Sequence, residues 1–403
     1  MFKTFEAKIV YLFTILVFTN IIVYQYVMHM TSIQSNLFFI GLAMVVFVYR
    51  LLVSRISINM LLGRIGIWAF LYFSILTVYF ILSDIGKIEF EYYKELVNSI
   101  IIVLAYYWIL SENKTHIQVA RIAILHATII TAILLIFDFF SPGIILDRSS
   151  SFFIAGRASG ITLNPNTAGS ILTLGLIFSI DMVPKRLRLL FMLLIFIAVL
   201  VTFSRSALLL YLILTVIFTV QKKISFFSLF VGVISLSFFI GIMLTFVLHF
   251  MKANGIRTTN IEERIAYIET MGGSGNDKSA DERIHIVEAA YELFANNPLF
   301  GKGFAATALW NHKIEAHNQY MNYFAQYGIF SLFMFPLLVY LSTKGAKNEA
   351  KGVAVAFVVF ILIKGIFTHN ILRAYFYLII FVLMMNMTLV SIDESQQKEI
   401  EDV

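Results

Sequence analysis

His317 is the side chain in this sequence best suited to move a proton. It stands with Asn318 in a polar stretch, residues 279–328, that separates long apolar runs. An imidazole can take or give a proton near neutral pH. A structural hydrogen bond is the commoner use of a lone histidine, and both readings stay open for His317. His285 and His312 have weaker surroundings and are read as structural. Arg283 shares a helical face with Ile286, Val287 and Ala290 by the i+3, i+4 and i+7 rule. That spacing aims its guanidinium at the protein. Glu282, Glu288 and Glu315 are read as caps or solvated faces rather than as catalytic acids.

Three further polar groups can handle an anion. The first is G-R-A-S-G-I-T-L-N-P-N at 156–166. Asn164 fits a helix N-cap with Pro165 in the first helical position. The N–H groups and positive dipole end of such a helix attract phosphate or carboxylate. Arg157 and Asn166 flank it; Arg157 is either a fork on the same anion or an interfacial arginine among lipid headgroups. The second group is T-F-S-R-S-A at 202–207, where Arg205 lies between two apolar runs with Ser204 and Ser206 beside it. A charge near the hydrocarbon boundary needs a partner, a wet cavity or a snorkelling path. The third is Lys364 with His369, Asn370 and Arg373. Lys364 sits inside an apolar run, so it faces a bundle interior or snorkels outward.

These groups must be positioned by a membrane-embedded helical scaffold. The chain has 403 residues, 60% hydrophobic and 13% charged, with mean hydropathy +0.86. Soluble domains carry about 25% charged residues. The apolar runs are continuous and near the ~20 residues that cross a bilayer, so alternating barrel strands are excluded. The expected fold is an all-α polytopic membrane protein with about twelve transmembrane helices. These fall near 8–28, 36–53, 63–83, 96–110, 122–140, 166–183, 189–203, 206–220, 225–250, 321–341, 353–371 and 374–391. The first run lacks a cleavage site and reads as a span. Without cysteine there is no disulfide, thiolate nucleophile or Cys-bound metal. No His-x-x-x-His or acidic cluster suggests a metal, and no cofactor is expected. The net charge of +6 marks membrane sidedness rather than nucleic-acid binding. With both termini inside, the inner segments hold 16 basic residues and the short outer loops six.

The expected organisation is residues 1–250 as spans with short loops, 251–320 as a large external loop, 321–391 as three spans, and 392–403 as a disordered cytoplasmic tail. No soluble domain is expected on either side of the spans. The external loop should be partly helical. Asn260 with Glu263 and Ser279 with Glu282 fit N-cap boxes, and Gly272–Gly275 forms a hinge. The second helix should end at Asn297-Pro298, with turns at Gly301 and Gly303. The absence of an internal repeat disfavours a transporter with inverted repeats. So does the gathering of charges at span ends.

Four motifs in order resemble the O-antigen polymerase and O-antigen ligase superfamily. They are R-x-S-G-x-x-x-N-P-N (157–166), S-R-S-A (204–207), D-E-R…N-P-L-F-G-K-G (281–303) and A-H-N-Q-Y…Y-G-I (316–329). The resemblance covers residues 150–340. It implies a GT-C-like glycosyltransferase of the bacterial inner membrane, with a periplasmic loop and active site and no metal or nucleotide sugar. The donor would be a polyprenyl-diphosphate-linked oligosaccharide. By this analogy Arg205 and Arg283 contact the diphosphate and His317 assists the acceptor hydroxyl. Arg157, Asn164, Asn166, Asn318 and Arg373 would line the diphosphate or glycan. Implied partners are membrane lipid, a chain-length regulator and a repeat-unit flippase, with no nucleic acid. A polymerase is favoured because polymerases are the more numerous and varied branch. The ligase, which transfers glycan to lipid A core, and the protein O-oligosaccharyltransferase are the alternatives, with a flippase or transporter behind them.

Overall fold

The computed structural model describes residues 4–32, 34–53, 63–110, 113–154, 156–227, 230, 278–310 and 315–401. No strand occurs among them. In chain order the helices are α1 (Phe5–Thr19), α2 (Ile21–Val27), α3 (Ser35–Val53), α4 (Arg64–Ile81) and α5 (Lys87–Leu110). They continue as α6 (Lys114–Phe140), α7 (Pro165–Ser179), α8 (Arg188–Thr202), α9 (Arg205–Val220) and α10 (Lys278–Asn296). The last four are α11 (Gln319–Tyr327), α12 (Phe335–Thr343), α13 (Asn348–Phe367) and α14 (Tyr375–Glu401). Contacts divide the chain into two compact units. One comprises Met1–Phe18, Gln25–Ala123 and Glu282–Val403; the other comprises Thr19–Tyr24 and Ile124–Asp281.

Among the described residues six stretches are long and apolar enough to cross a membrane: α4, α5, α6, Gln319–Thr343, α13 and Tyr375–Asp393. A seventh results if α1 and α2, bent by 55°, form one span. The sequence predicts twelve. Part of the difference is length, because α7, α8 and α9 have 15, 15 and 16 residues. At 1.5 Å per residue each rises about 22–24 Å, short of the ~30 Å hydrocarbon core. Most of the expected span at 225–250 lies outside the described residues. So do the helix start at Asn260, the Gly272–Gly275 hinge and His312.

In the first unit α14 is the enclosed element. From Phe376 to Met387 its residues are 0–7% exposed, and α5, α12 and α13 pack around it. The stretch expected as one span at 321–341 falls within the candidate span Gln319–Thr343 and is built of α11, a 3₁₀ segment Gly328–Phe333 and α12. The break starts at Gly328, with φ +54° and ψ −140°. It ends at Met334, whose carbonyl accepts from Trp68 Nε1 at 2.7 Å. That bond satisfies a group the helix ladder cannot. The N-P-L-F-G-K-G segment docks on this break main chain to main chain. Lys302 N donates to Ala325 O at 2.7 Å, Gly303 N to Gln326 O at 3.1 Å and Ile329 N to Pro298 O at 3.1 Å.

In the second unit α7 packs on α8 and α9 and is buried through Ala168–Ser179. Its small residues permit that closeness. A Cβ at Gly175 would strike Thr128, and one at Gly169 would strike Ala207.

Gly301 has φ +69°, and a Cβ there would meet the carbonyl of Gln326. Gly301→Ala should therefore cost on the order of 1–3 kcal/mol through strain and overpacking. Gly41 has open space around it and serves as the control. The melting temperature of the solubilised protein should fall clearly in Gly301→Ala and little in Gly41→Ala. Equal values would contradict the close approach.

Candidate functional site

In the first unit His317 is placed by the start of α11. Asn318 is the N-cap, its side chain accepting from Tyr320 N and Met321 N. Gln319, fully buried, accepts from Ile371 N at 2.9 Å through Oε1. That bond docks the turn between α13 and α14 onto α11. The turn is tightened by Asn370, whose carbonyl accepts from Arg373 N and Ala374 N. His369 on this turn thereby meets His317, Nδ1 to Nδ1 at 3.2 Å.

Behind the pair stands a charge cluster. Glu315 Oε2 lies 3.7 Å from His369 Nε2. Arg373 NH1 donates to both oxygens of Glu315, at 2.8 and 2.9 Å, and NH2 donates to Glu95 at 2.9 Å. Its guanidinium also lies 5.0 Å from the centre of the Tyr92 ring. A cavity of about 770 Å³ opens beside the cluster, lined in part by Asn36, Asn98, Glu95, Glu315, Arg373 and Tyr375. Glu315 is thus neither a cap nor a solvated face, as its sequence context suggests; the partner that holds it is 58 residues away.

Both imidazoles are neutral at pH 7. Burial first, then His369, then Arg283, pull His317 down to about 4 against the opposing carboxylates of Glu315 and Glu282. Burial and then Arg373 pull His369 down to about 4. A neutral imidazole keeps a lone pair with which to accept a proton. Arg283 is half-buried on α10 and acts electrostatically on His317. The Ile286–Ala290 side of its helix packs with Ala316 and Ala325, as the helical spacing predicts. Lys364 is buried, 3% exposed, so it turns into the protein and does not snorkel outward. Helix α10 has begun by Lys278, which makes Ser279 helical rather than a cap; it ends at Asn296 as expected. His285 and Glu288 pair with each other in the open.

The second unit gathers Arg157, Asn164, Asn166 and Arg205. Asn164 caps α7, accepting from Asn166 N and Thr167 N, with Pro165 following. Arg157 donates from Nε to Thr202 O at 2.9 Å and from NH2 to Asn166 Oδ1 at 3.0 Å. It thus ties the start of α7 to the end of α8. Asp138, buried near the end of α6, accepts from Ser159 N and Gly160 N at 3.1 and 2.9 Å and holds the loop that carries Arg157. Gly169 lets Ala207 and Ser204 approach, so the N-terminal ends of α7 and α9 lie side by side. Arg205 is the first residue of α9, and Ser204 gives that helix no side-chain cap. Two helix N-termini with an arginine at one of them favour an anion.

Some site residues give no motif in the sequence. Glu95 and Asp138 belong to this class. Gln319, Asn322 and Gln326 carry a faint signal, being amides at i, i+3 and i+7 on one face of α11. All three are fully buried. Gln326 and Asn322 hydrogen-bond Thr307, and Gln326 Oε1 accepts from Ala305 N. Asn322 and Gln326 thereby pin the 303–309 loop to α11. Among the described residues no group of three or more His, Asp or Glu side chains could hold a metal ion.

Residues 190–336 match a family described as O-antigen ligase. That range includes Arg205, Arg283 and His317. No curated protein matches the chain.

The histidine pair links stability to pH. The unfolded chain takes up protons on these imidazoles near the ordinary 6.5, whereas the fold resists protonation until about 4. Stability from keeping them neutral is complete above about 6.5 and is lost as pH falls from there toward 4. A pH series of melting temperatures should show wild type losing stability across this window and His369→Asn losing less. Parallel curves would contradict the assignment.

Proposed function

We propose, from the O-antigen ligase family domain carried by residues 190–336, that the chain is an O-antigen polymerase. It would join polyprenyl-diphosphate-linked oligosaccharide repeat units at the outer face of the bacterial inner membrane. The observation that carries this reading is the contact of His317 with His369, Nδ1 to Nδ1 at 3.2 Å, with α10, the helix that bears Arg283, packed against the neighbouring Ala316. A hydroxyl nucleophile needs a neutral base beside it, and a departing diphosphate needs cations.

In this mechanism the acceptor hydroxyl attacks the anomeric carbon of the donor. The bond from that carbon to the diphosphate oxygen breaks, and polyprenyl diphosphate leaves with the bonding pair. The hydroxyl proton goes to His317 Nε2. Arg283 and Arg205 stabilise charge on the diphosphate. The N-terminal ends of α7 and α9 offer donors of the same kind beside Arg205, with Asn166 and Arg157 bracing them. Arg373 serves by clamping Glu315, and Asn318 by capping the helix that presents His317. The reaction draws its charge stabilisation from arginines, so no metal is required. The twelve-span layout, the outward-facing loop at 251–320 and partnership with a repeat-unit flippase and a chain-length regulator belong to the same reading.

The description of the matched family favours a second reading, transfer of finished glycan to lipid A core. The two share every residue above and differ in the acceptor. Purified protein given only lipid-linked repeat unit should form polymer, in excess chelator as well as without it. A strict need for lipid A core would establish the ligase. No consumption with either acceptor would remove both readings.

The arginines should act through their planar forks, so charge alone will not replace them. Arg205→Lys and Arg283→Lys should each lower turnover by about tenfold or more, at roughly 1.5–3 kcal/mol per charge-assisted hydrogen bond. His317→Ala should lose about 10²–10⁴-fold with donor binding near normal. Turnover is to be measured per folded protein. Normal specific activity in all three variants would show the assignment to be wrong.

A further inference from the structure

We infer that His369 and Glu315 are positioning residues that fix the tautomer of His317, leaving its Nε2 lone pair for the acceptor hydroxyl. The inference rests on the proposed glycosyl transfer and adds two residues to it, with a role for each.

Two neutral imidazoles that meet Nδ1 to Nδ1 at 3.2 Å cannot both bring a proton or both bring a lone pair. One Nδ1 carries hydrogen and the other accepts it. Two arrangements satisfy this, and they leave His317 with opposite chemistry. If His369 donates, His317 carries its hydrogen on Nε2 and presents an N–H to the substrate, which cannot take up a proton. If His317 donates, its Nε2 carries a lone pair that can accept a proton.

The carboxylate of Glu315 decides between them. It stands 3.7 Å from His369 Nε2, too far for a good hydrogen bond but close enough for its charge to orient the ring. The first arrangement turns a lone pair toward that carboxylate; the second turns an N–H toward it. The second is therefore favoured, and it runs from the Glu315 carboxylate to His369 Nε2–H, then from His317 Nδ1–H to His369 Nδ1. Glu315 cannot swing away, because Arg373 holds both its oxygens and is itself held by Glu95. The Gln319–Ile371 bond fixes the turn that carries His369. Other charged groups facing the pair are Arg283 and Glu282 on α10, which act on His317, and Arg373, which acts on His369. Neutrality of both rings at pH 7 agrees with a single shared proton.

During transfer the acceptor O–H bond breaks and its proton joins His317 Nε2. The resulting imidazolium keeps its Nδ1–H on His369, with the Glu315 carboxylate beyond. The arrangement follows the base-and-orienter logic of hydrolytic triads, with a second imidazole between base and carboxylate.

The tautomer can be read without any turnover. In full-length protein with ¹⁵N-labelled histidine, two-bond N–H couplings identify the protonated nitrogen. His317 is assigned by its loss in His317→Gln. At pH 7 His317 should be protonated on Nδ1 and His369 on Nε2. A His317 protonated on Nε2 would overturn the inference, whether or not the chain proves to be a glycosyltransferase. Turnover gives a second readout. An asparagine side-chain oxygen can stand where His369 Nδ1 accepts, and leucine cannot. With lipid-linked repeat unit as probe, His369→Leu should lose about tenfold or more in kcat, with donor KM unchanged. His369→Asn should recover most of that loss. Equal activity of the two folded variants would also overturn it. If the variants do not fold, the wild-type couplings decide.

Discussion

A guanidinium half-buried in so apolar a protein must be neutralised, and the way Arg373 achieves this organises one end of the first unit. It draws Glu95 from α5 and Glu315 from the approach to α11, with the Tyr92 ring beside it. Three segments far apart in the chain are joined by charge-assisted bonds that water does not fully screen. Removing one partner would strand the other charge in a poorly hydrated place. The constraint reaches further than the ion pairs. With Glu315 fixed, His369 has a carboxylate on one side, and with the turn docked on Gln319 it has His317 on the other.

The second unit answers a different requirement. Helices of 15 and 16 residues pack closely because α7 offers glycine where α6 and α9 cross it. The same closeness sets two helix starts side by side. Asp138 supplies a buried acceptor for two main-chain N–H groups and gives the preceding loop its shape. Arg157 then spans from that loop to the end of α8. An arginine that looks like an anion fork in the sequence is thus also a brace between helices.

What could be read from the sequence follows how local each feature is. The Asn164–Pro165 cap, the turns at Gly301 and Gly303 and the inward face of Arg283 depend on neighbours within a helical turn or two, and all three recur in the structure. Helix α5 starts at Lys87 rather than 96 because Glu89, Glu91, Lys94 and Glu95 hide it from hydropathy while favouring helix. The His317–His369 contact joins residues 52 apart, and Glu315–Arg373 residues 58 apart. Nothing in local spacing announces either. Buried amides on α11 are concealed for another reason: polar side chains enclosed in a protein look in the sequence like solvated ones.

In the proposed reaction these groups break the bond between a glycan and polyprenyl diphosphate while making a glycosidic one. The direct measurement is mass-spectrometric counting of both products after purified protein in lipid nanodiscs meets lipid-linked repeat unit. One polyprenyl diphosphate released for each new glycosidic bond is the predicted result. Donor that remains intact beside folded protein, with and without lipid A core, would contradict glycosyl transfer by this chain.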